Sequence, residues 1–280
     1  MTGPGLPPDG AVTPDAGRYG ERFFRPDEGG EGDRIDLGAL TYDATTIARL
    51  RMLGAGPGWT CLEVGAGTGT VARRLLDEAG VDSVLAVDRD VRFLAAHPVP
   101  GLTVRQADIT SDDFAPGPFH LVHVRFVLMH LPSPRRMVAR LSGLLAPGGV
   151  LVIGDAVDLT TAEAPDTPYT RAMRAMWQGL RDTIGTDVSQ VPRHPELLRA
   201  AGLERVAAEI HVPPLEPGSA ISGFWADTWG RAREAMVGTG LVDNARIDEA
   251  VRFLDSPACT GLSPGMLTAW GHRPAQHAGR

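Results

Sequence analysis

Three glycines at alternating positions, Gly65, Gly67 and Gly69, follow a short apolar run, Thr60–Val64, that contains Glu63. The run is typical of a buried strand, and TVARRLLDEAG after the glycines is typical of an amphipathic helix. Glycine has no Cβ, so backbone N–H groups at the start of that helix can approach a ligand closely. A tight turn explains one glycine, whereas three predict a ligand-binding loop.

Two cofactor classes use a glycine-rich turn between a strand and a helix. The dinucleotide pattern GxGxxG needs a third glycine inside the helix, but Thr70 and Val71 stand where that glycine is expected. The spacing therefore counts against NAD. Asp88 ends the next apolar run, roughly twenty residues past the glycines. In both fold families that use such a loop, an acid at this position binds the ribose hydroxyls of the cofactor. An aspartate that only terminates a strand is the alternative for Asp88.

The order of these motifs resembles the class I S-adenosylmethionine-dependent methyltransferases, specifically their bacterial small-molecule, natural-product branch. The acid-x-Gly-x-Gly-x-Gly motif of that family is matched from Glu63 to Gly69, and QADIT, RFVLMHLPSP and LLAPGGVLVIGD follow in the family's order over 62–155. The resemblance implies S-adenosylmethionine as cofactor and S-adenosylhomocysteine as product. The implied cofactor contacts are Glu63, Gly65, Ala66, Gly67, Gly69, Asp88, Arg89, Asp108, Ile109, Arg125, Tyr19 and Tyr42.

Some of these assignments have open alternatives. Asp108 and Ile109 are implied to hold the adenine amine and to stack on its ring. Tyr19 and Tyr42 precede the core, where relatives of this fold close tyrosines over the methionine end of the cofactor. Arg125 either contacts a carboxylate of the cofactor or pairs with an acid across the sheet, and the structural role is favoured.

Methyl transfer from a sulfonium is an in-line displacement, in which a protein contributes positioning, exclusion of water and sometimes a base. His130, just past the fourth predicted strand, is the candidate base for an oxygen nucleophile, and a histidine that only packs there is the alternative. Asp155 either orders a substrate hydroxyl or a magnesium ion, or caps the next segment. Trp177, Trp225 and Trp229 fall in two insertions and predict an apolar or aromatic acceptor pocket.

Composition narrows the function classes. All 27 basic residues are arginine, so Walker-type, Schiff-base and pyridoxal-phosphate lysines are excluded. A net charge of −7 argues against a nucleic-acid partner. The two cysteines form no CxxC pair, and no metal-binding histidine motif occurs, so we expect no metal site. No apolar run approaches the roughly 18 to 20 residues of a membrane span, and no secretory signal is evident, so we expect a cytoplasmic protein.

The residues are positioned by alternating strand and helix patterns, which predict an α/β fold with a doubly wound, mostly parallel, seven-stranded sheet. We expect a mobile tail over 1–32, within which Tyr19–Pro26 could dock as a latch. A cap helix follows within 33–58, capped at its amino end by Asp43 or Thr45. The core spans 59–280, with helical lids inserted at about 156–192 and 216–255. A mobile arm also makes a domain-exchanged homo-oligomer one of the expectations.

The sequence thus predicts a methyltransferase that acts on a small, apolar or aromatic, natural-product-like acceptor, with O-methylation slightly preferred over N- or C-methylation. A protein that keeps the fold and binds the cofactor without transferring methyl, as a cyclase or a binding module, is the second reading. An NAD-linked oxidoreductase is the third.

Overall fold

The computed structural model describes residues 19–96, 98–161 and 164–275. In chain order its strands are β1 Thr60–Val64, β2 Ser83–Asp88, β3 Leu102–Gln106, β4 Phe119–Arg125, β5 Leu145–Val157, β6 Glu204–His211, β7 Pro214–Leu215, β8 Gly261–Leu262 and β9 Gly265–His272. The main sheet has seven strands in the order β3-β2-β1-β4-β5-β9-β6, and β9 runs antiparallel to both of its neighbours. The predicted doubly wound α/β fold is confirmed.

Helices cover both faces of this sheet. In chain order they are α1 Glu31–Met52, α2 Thr70–Arg74 with a π turn at Leu75–Ala79, α3 Arg92–Ala95, α4 Pro134–Gly143, α5 Pro168–Ile184, α6 His194–Ala200, α7 Ala220–Arg231, α8 Arg233–Gly238 and α9 Asn244–Leu254. Short 3-10 turns lie at Leu128–His130 and Val188–Arg193. Gly80 ends the glycine-loop helix in a left-handed conformation, φ 71°, as the sequence predicts.

Three hydrophobic clusters account for the packing. One lies between the sheet and α4 and α6, with Leu62, Val122 and Leu151 fully buried. The second lies on the opposite face, beneath α1 and α2. The third joins α5, α7, α8 and α9 to each other and includes the methionine and tryptophan stripe of the predicted lids. The lids therefore have a core of their own, above the carboxyl ends of the central strands.

The cap predicted for the amino-terminal helix is wrong. Helix α1 begins at Glu31, two residues before the predicted range 33–58, and its N-cap is Gly30 rather than Asp43 or Thr45. Asp43 is instead buried in mid-helix, where it pairs with Arg125. From residue 19 onward the predicted tail is packed, since Phe23 and Phe24 are buried in the lid cluster, as expected if Tyr19–Pro26 docks as a latch. Residues 1–18 lie outside the described residues.

In the described part of the chain, no helix is long and apolar enough to cross a membrane. The same residues contain no group of three or more side chains arranged to hold a metal ion. Cys61 and Cys259 are both free and buried.

Candidate functional site

Two adjoining cavities open at the carboxyl ends of the parallel strands. The first, which we call the strand-end cavity, has a volume of about 220 Å³ and lies beyond β2, β3 and β4. The second, the lid cavity, has a volume of about 240 Å³ and extends from the glycine loop to α5 and α7. Both cavities are lined by Tyr19, Gly65, Asp88, Phe126, Val127 and His130. A ligand in the first cavity therefore meets a ligand in the second at these six residues.

The three glycines of the loop differ in what surrounds them. Gly65, Gly67 and Gly69 all have positive φ, at 66°, 55° and 80°. A Cβ on Gly65 would lie 2.3 Å from Val127 Cγ2, and one on Gly69 would lie 2.5 Å from Leu94 Cδ2. A Cβ on Gly67 would meet only Ile35, at 3.4 Å, on the wall of the lid cavity. Protein packing thus demands two of the glycines, while Gly67 leaves room for a ligand. Gly69 lines neither cavity, which corrects its prediction as a cofactor contact.

The acids that end β2 and follow β3 lie where the sequence places them. Asp88 lines both cavities, and its Oδ2 accepts a hydrogen bond from the Gly67 N–H at 2.8 Å. Burial raises the pKa of Asp88, against the hydrogen bonds that it accepts from Gly67 and other backbone N–H groups. Asp108 and Ile109 line the strand-end cavity, and Asp108 Oδ1 accepts from the Thr110 N–H at 2.8 Å. These acids therefore shape the loops and also face the cavities.

Two predicted cofactor contacts are held by partners inside the protein. Glu63 lines the lid cavity, but its Oε2 lies 2.7 Å from Nδ1 of the buried His123 on the neighbouring strand. Arg125 also lines this cavity and donates to Asp43 Oδ1 at 2.7 Å and to Thr46 at 3.0 Å. The carboxylate partner of Arg125 thus lies on helix α1 and not across the sheet, and the cofactor contact predicted for Arg125 stays a prediction.

The amino-terminal latch, residues Tyr19–Pro26, lies across both cavities. The Tyr19 ring packs 4.3 Å from the His130 ring, and its hydroxyl accepts a hydrogen bond from Arg34 at 2.7 Å. Arg89 lines the strand-end cavity but forms an ion pair with Glu21 of the latch at 2.8 Å.

Ala66 and Tyr42 line the lid cavity, and the Tyr42 hydroxyl donates to the Pro264 carbonyl at 3.2 Å.

His130 lies where the two cavities meet. Its Nδ1 is hydrogen bonded to Thr186 Oγ1 at 2.8 Å, which leaves Nε2 without a hydrogen bond among the described residues. Burial, with a smaller contribution from the nearby Arg34, lowers the pKa of His130 to about 3. The imidazole is therefore neutral at physiological pH and a weak proton acceptor.

The tryptophans of the lids divide into two kinds. Trp177 and Trp225 line the lid cavity and donate their indole N–H groups to Asp158 and Ser263, at 2.9 and 2.8 Å. Trp229 is fully buried in the lid cluster and lines neither cavity, because it lies one helical turn further along α7. This corrects its prediction as a substrate contact.

Asp155 is likewise absent from both cavity walls. It is fully buried, and its Oδ1 accepts a hydrogen bond from the Val127 N–H at 3.0 Å, so it supports the turn that carries His130. Burial raises the pKa of Asp155 well above the ordinary value. Its role in the structure is therefore to hold this turn rather than to contact substrate.

Sequence reasoning missed a polar group on the wall of the lid cavity. Arg34 and Glu31, both buried, line this cavity and form a two-point ion pair within the first turn of α1. The Arg34 guanidinium lies over the rings of Phe24 and Phe224, at 4.6 and 5.2 Å. The i, i+3 spacing of Glu31 and Arg34 could have indicated an ion pair on a helix. The segment that contains them, DEGGEGDR, is instead typical of a glycine-rich loop.

Comparisons with known proteins agree with this geometry. Residues 62–151 match the methyltransferase domain family. Methyltransferase str3 of Strobilurus tenacellus is 38% identical over 96 residues, which cover 34% of each chain. Methyltransferase str2 of the same organism is 36% identical over 188 residues, 63% of this chain and 65% of that protein. The chain thus spans between one third and two thirds of the length of these curated relatives.

A solved structure matches over a longer stretch. Phosphoethanolamine N-methyltransferase 2 of Haemonchus contortus, in complex with S-adenosyl-L-methionine, covers 90% of this chain and 60% of its own, with a TM-score of 0.54 and 16% identity. The fold is the class I methyltransferase fold. The matched segment, 62–151, runs from within β1 into β5 and holds most of the glycine-loop site, whereas the latch and the lids lie outside it.

Proposed function

We propose that this chain is an S-adenosylmethionine-dependent methyltransferase that acts on a small, mostly apolar or aromatic acceptor. The observation that carries the proposal is Gly67 on the wall of the lid cavity, where neither packing nor a neighbouring backbone fills the space of a Cβ. The domain match over 62–151 supports the same activity.

The residues present fit this cofactor. Asp88 at the end of β2 can accept hydrogen bonds from ribose hydroxyls, and Asp108 with Ile109 can hold an adenine in the strand-end cavity. The glycine loop and the start of α2 offer backbone N–H groups to the methionine carboxylate. When bound, S-adenosylmethionine supplies a sulfonium-activated methyl group for in-line displacement.

The lid cavity provides the acceptor site. Its walls include Met176, Trp177, Leu180, Phe224 and Trp225, which exclude water and favour a flat apolar body. We propose that an acceptor hydroxyl is methylated in preference to nitrogen or carbon, and that Nε2 of His130 accepts its hydrogen bond and then its proton. Because burial makes His130 a weak base, its contribution to the rate should be about tenfold, below the usual range for a general base.

We also propose a biological setting. The acceptor is natural-product-like, the protein acts in secondary metabolism in the cytoplasm, and its partners are small molecules rather than nucleic acid or membrane. The two Strobilurus relatives are fungal, so the bacterial branch predicted from the sequence stays a prediction. Exchange of the amino-terminal arm within a homo-oligomer also stays a prediction.

A transfer assay tests the proposal. The protein is incubated with methyl-labelled S-adenosylmethionine and a small-molecule extract of its host, and labelled products are sought by mass spectrometry. Label that forms with the wild type and not with Gly67→Val supports methyl transfer and gives the acceptor mass. Cofactor binding without label over many extracts would favour the non-methylating reading, and binding of NAD instead would favour the oxidoreductase.

A further inference from the structure

Arg34 is a buried cation on the wall of the lid cavity, on the side formed by the latch, α1 and α7. It is 4% exposed, and its ion-pair partner Glu31 is 1% exposed. Buried cations are costly unless they are paired and hydrogen bonded, so the number of donors that the protein uses is informative.

One donor of this guanidinium is left over. Arginine has five N–H donors. Nε and Nη2 donate to the two oxygens of Glu31 at 2.9 and 2.5 Å, and Nη2 also donates to the Tyr19 hydroxyl at 2.7 Å. Nη1 makes a long contact of 3.4 Å with Thr228 Oγ1. Within the described residues, the second N–H of Nη1 has no protein acceptor.

The surroundings hold the guanidinium in a fixed position. The Phe24 and Phe224 rings stack against it, and Glu31 is held in turn by Arg231, at 3.3 Å. The guanidinium is therefore held rigidly at the wall of the lid cavity, which suits it to act as a recognition element.

The arginines of the lid cavity carry no spare positive charge. Arg34 and Arg125, the two arginines among the described residues that line it, are each paired with a buried carboxylate, Glu31 and Asp43, and Glu63, Asp88 and Asp90 add further carboxylates to the lining. His130 is neutral. A ligand carboxylate would thus bring an unpaired negative charge into an apolar pocket, whereas an uncharged oxygen would not.

The oxygens beside Arg34 are already engaged. Both Glu31 oxygens accept from arginine, and the Thr228 hydroxyl donates to the Phe224 carbonyl at 2.6 Å. A carbonyl oxygen needs only the Arg34 donor, because it has lone pairs and no proton of its own, whereas a ligand hydroxyl would also have to place its proton on an oxygen that already accepts from an arginine.

We propose that Arg34 is a specificity-determining residue whose free N–H binds an uncharged carbonyl oxygen on the acceptor, so that the acceptor is an aromatic ketone, ester or quinone. This inference rests on the proposed function, because it concerns the acceptor half of the same site. It adds the polar feature by which the acceptor is oriented inside an otherwise apolar cavity.

A pair of probes that differ in one atom tests it. The full chain is saturated with S-adenosylhomocysteine, and equilibrium dialysis gives the affinities of 2-acetylnaphthalene and of 2-isopropenylnaphthalene, in which a methylene group replaces the carbonyl oxygen. The ketone should bind about ten- to a hundredfold more tightly, the range for a hydrogen bond to a charged donor. The anion 2-naphthoate should bind more weakly than the ketone.

The variant Glu31→Gln/Arg34→Met removes both charges together, so no unpaired ion is buried, and its ketone-to-alkene ratio should fall to about one. The matched control Glu31→Gln keeps the guanidinium and should keep the preference for the ketone. Both probes are measured on the same preparation, so partial unfolding lowers both affinities equally and leaves their ratio unchanged.

Equal affinity of the two probes for the wild type would overturn the inference, as would a ratio that persists in the double variant. Tightest binding of 2-naphthoate would overturn the uncharged class. Binding of S-adenosylhomocysteine without binding of any probe would also reject this acceptor class. Failure of S-adenosylhomocysteine itself to bind would instead reject the proposed function.

Discussion

The substitution Gly65→Ala should destabilise the protein through a specific contact. Gly65 has φ 66°, a left-handed conformation that costs a non-glycine residue about 1–2 kcal/mol. The added Cβ would lie 2.3 Å from Val127 Cγ2, and overpacking of this kind costs about 1–3 kcal/mol. Together these terms predict a loss of about 2–5 kcal/mol in the free energy of unfolding.

Two further variants separate the terms. In a Val127→Ala background the clash is gone, so Gly65→Ala should cost only the backbone strain, about 1–2 kcal/mol, and a double-mutant cycle should give a coupling of about 1–3 kcal/mol. Gly67→Ala, with Ile35 at 3.4 Å, should also cost only the strain. Its Cβ projects into the lid cavity, however, so its main effect should be on affinity for S-adenosylhomocysteine.

Urea unfolding of the four Gly65 and Val127 combinations and of Gly67→Ala gives the stabilities, and calorimetric titration gives the affinities. Equal losses of stability for Gly65→Ala and Gly67→Ala would refute the division of the loop into packing and ligand positions. The same conclusion would follow if Val127→Ala left the cost of Gly65→Ala unchanged.

Three further predictions concern single side chains. Burial lowers the pKa of His130 in the folded protein to about 3, below its unfolded value of about 6.5. The stability that depends on a neutral imidazole is therefore fully present above pH 6.5 and is lost as the pH falls toward the folded pKa. At pH 5 the free energy of unfolding should have fallen by about 2 kcal/mol. His130→Gln should flatten the pH dependence of urea unfolding by that amount between pH 7.5 and 5, and an unchanged slope would contradict the burial of this ring. His130→Ala should lower turnover of an identified acceptor about tenfold with little change in S-adenosylmethionine affinity, and equal turnover would end its candidacy as a base. Asp88→Ala should weaken S-adenosylhomocysteine binding about ten- to a hundredfold by titration, whereas Asp82→Ala, at an exposed turn where Asp82 accepts from the Gly58 N–H, should not.

The central strands could be predicted from the sequence because each is a short apolar run with turn residues on both sides. The bounds of β1 and the end of β2 at Asp88 were predicted to the residue, and the glycine loop was placed between β1 and α2. Hydrophobic periodicity also located α5, since its buried stripe is long and regular.

The start of α1 could not be predicted in the same way. The segment DEGGEGDR combines three glycines with four acids and one arginine and has no apolar periodicity. Helix α1 nevertheless begins there, because Glu31 and Arg34 neutralise each other in a buried pair that the latch and α7 enclose. Such a pair depends on residues about 200 positions away, as the 3.4 Å contact with Thr228 shows.

The sequence also could not predict which side of a helix faces a cavity. Trp225 and Trp229 lie four residues apart on the same buried stripe of α7, and only tertiary packing separates the cavity-lining residue from the core residue. Asp155 follows an apolar run like a site acid, but β5 continues to Val157 and its side chain turns to the backbone of the neighbouring loop.

The central claim is that the glycine loop binds S-adenosylmethionine or its product. The most direct test is a calorimetric titration of the full chain with S-adenosylhomocysteine, beside Gly67→Val and beside NAD as a competing ligand. We expect one molecule bound per chain in the wild type, no binding in Gly67→Val at unchanged circular dichroism, and no binding of NAD. Unchanged affinity in Gly67→Val, or binding of NAD alone, would contradict the assignment of the site.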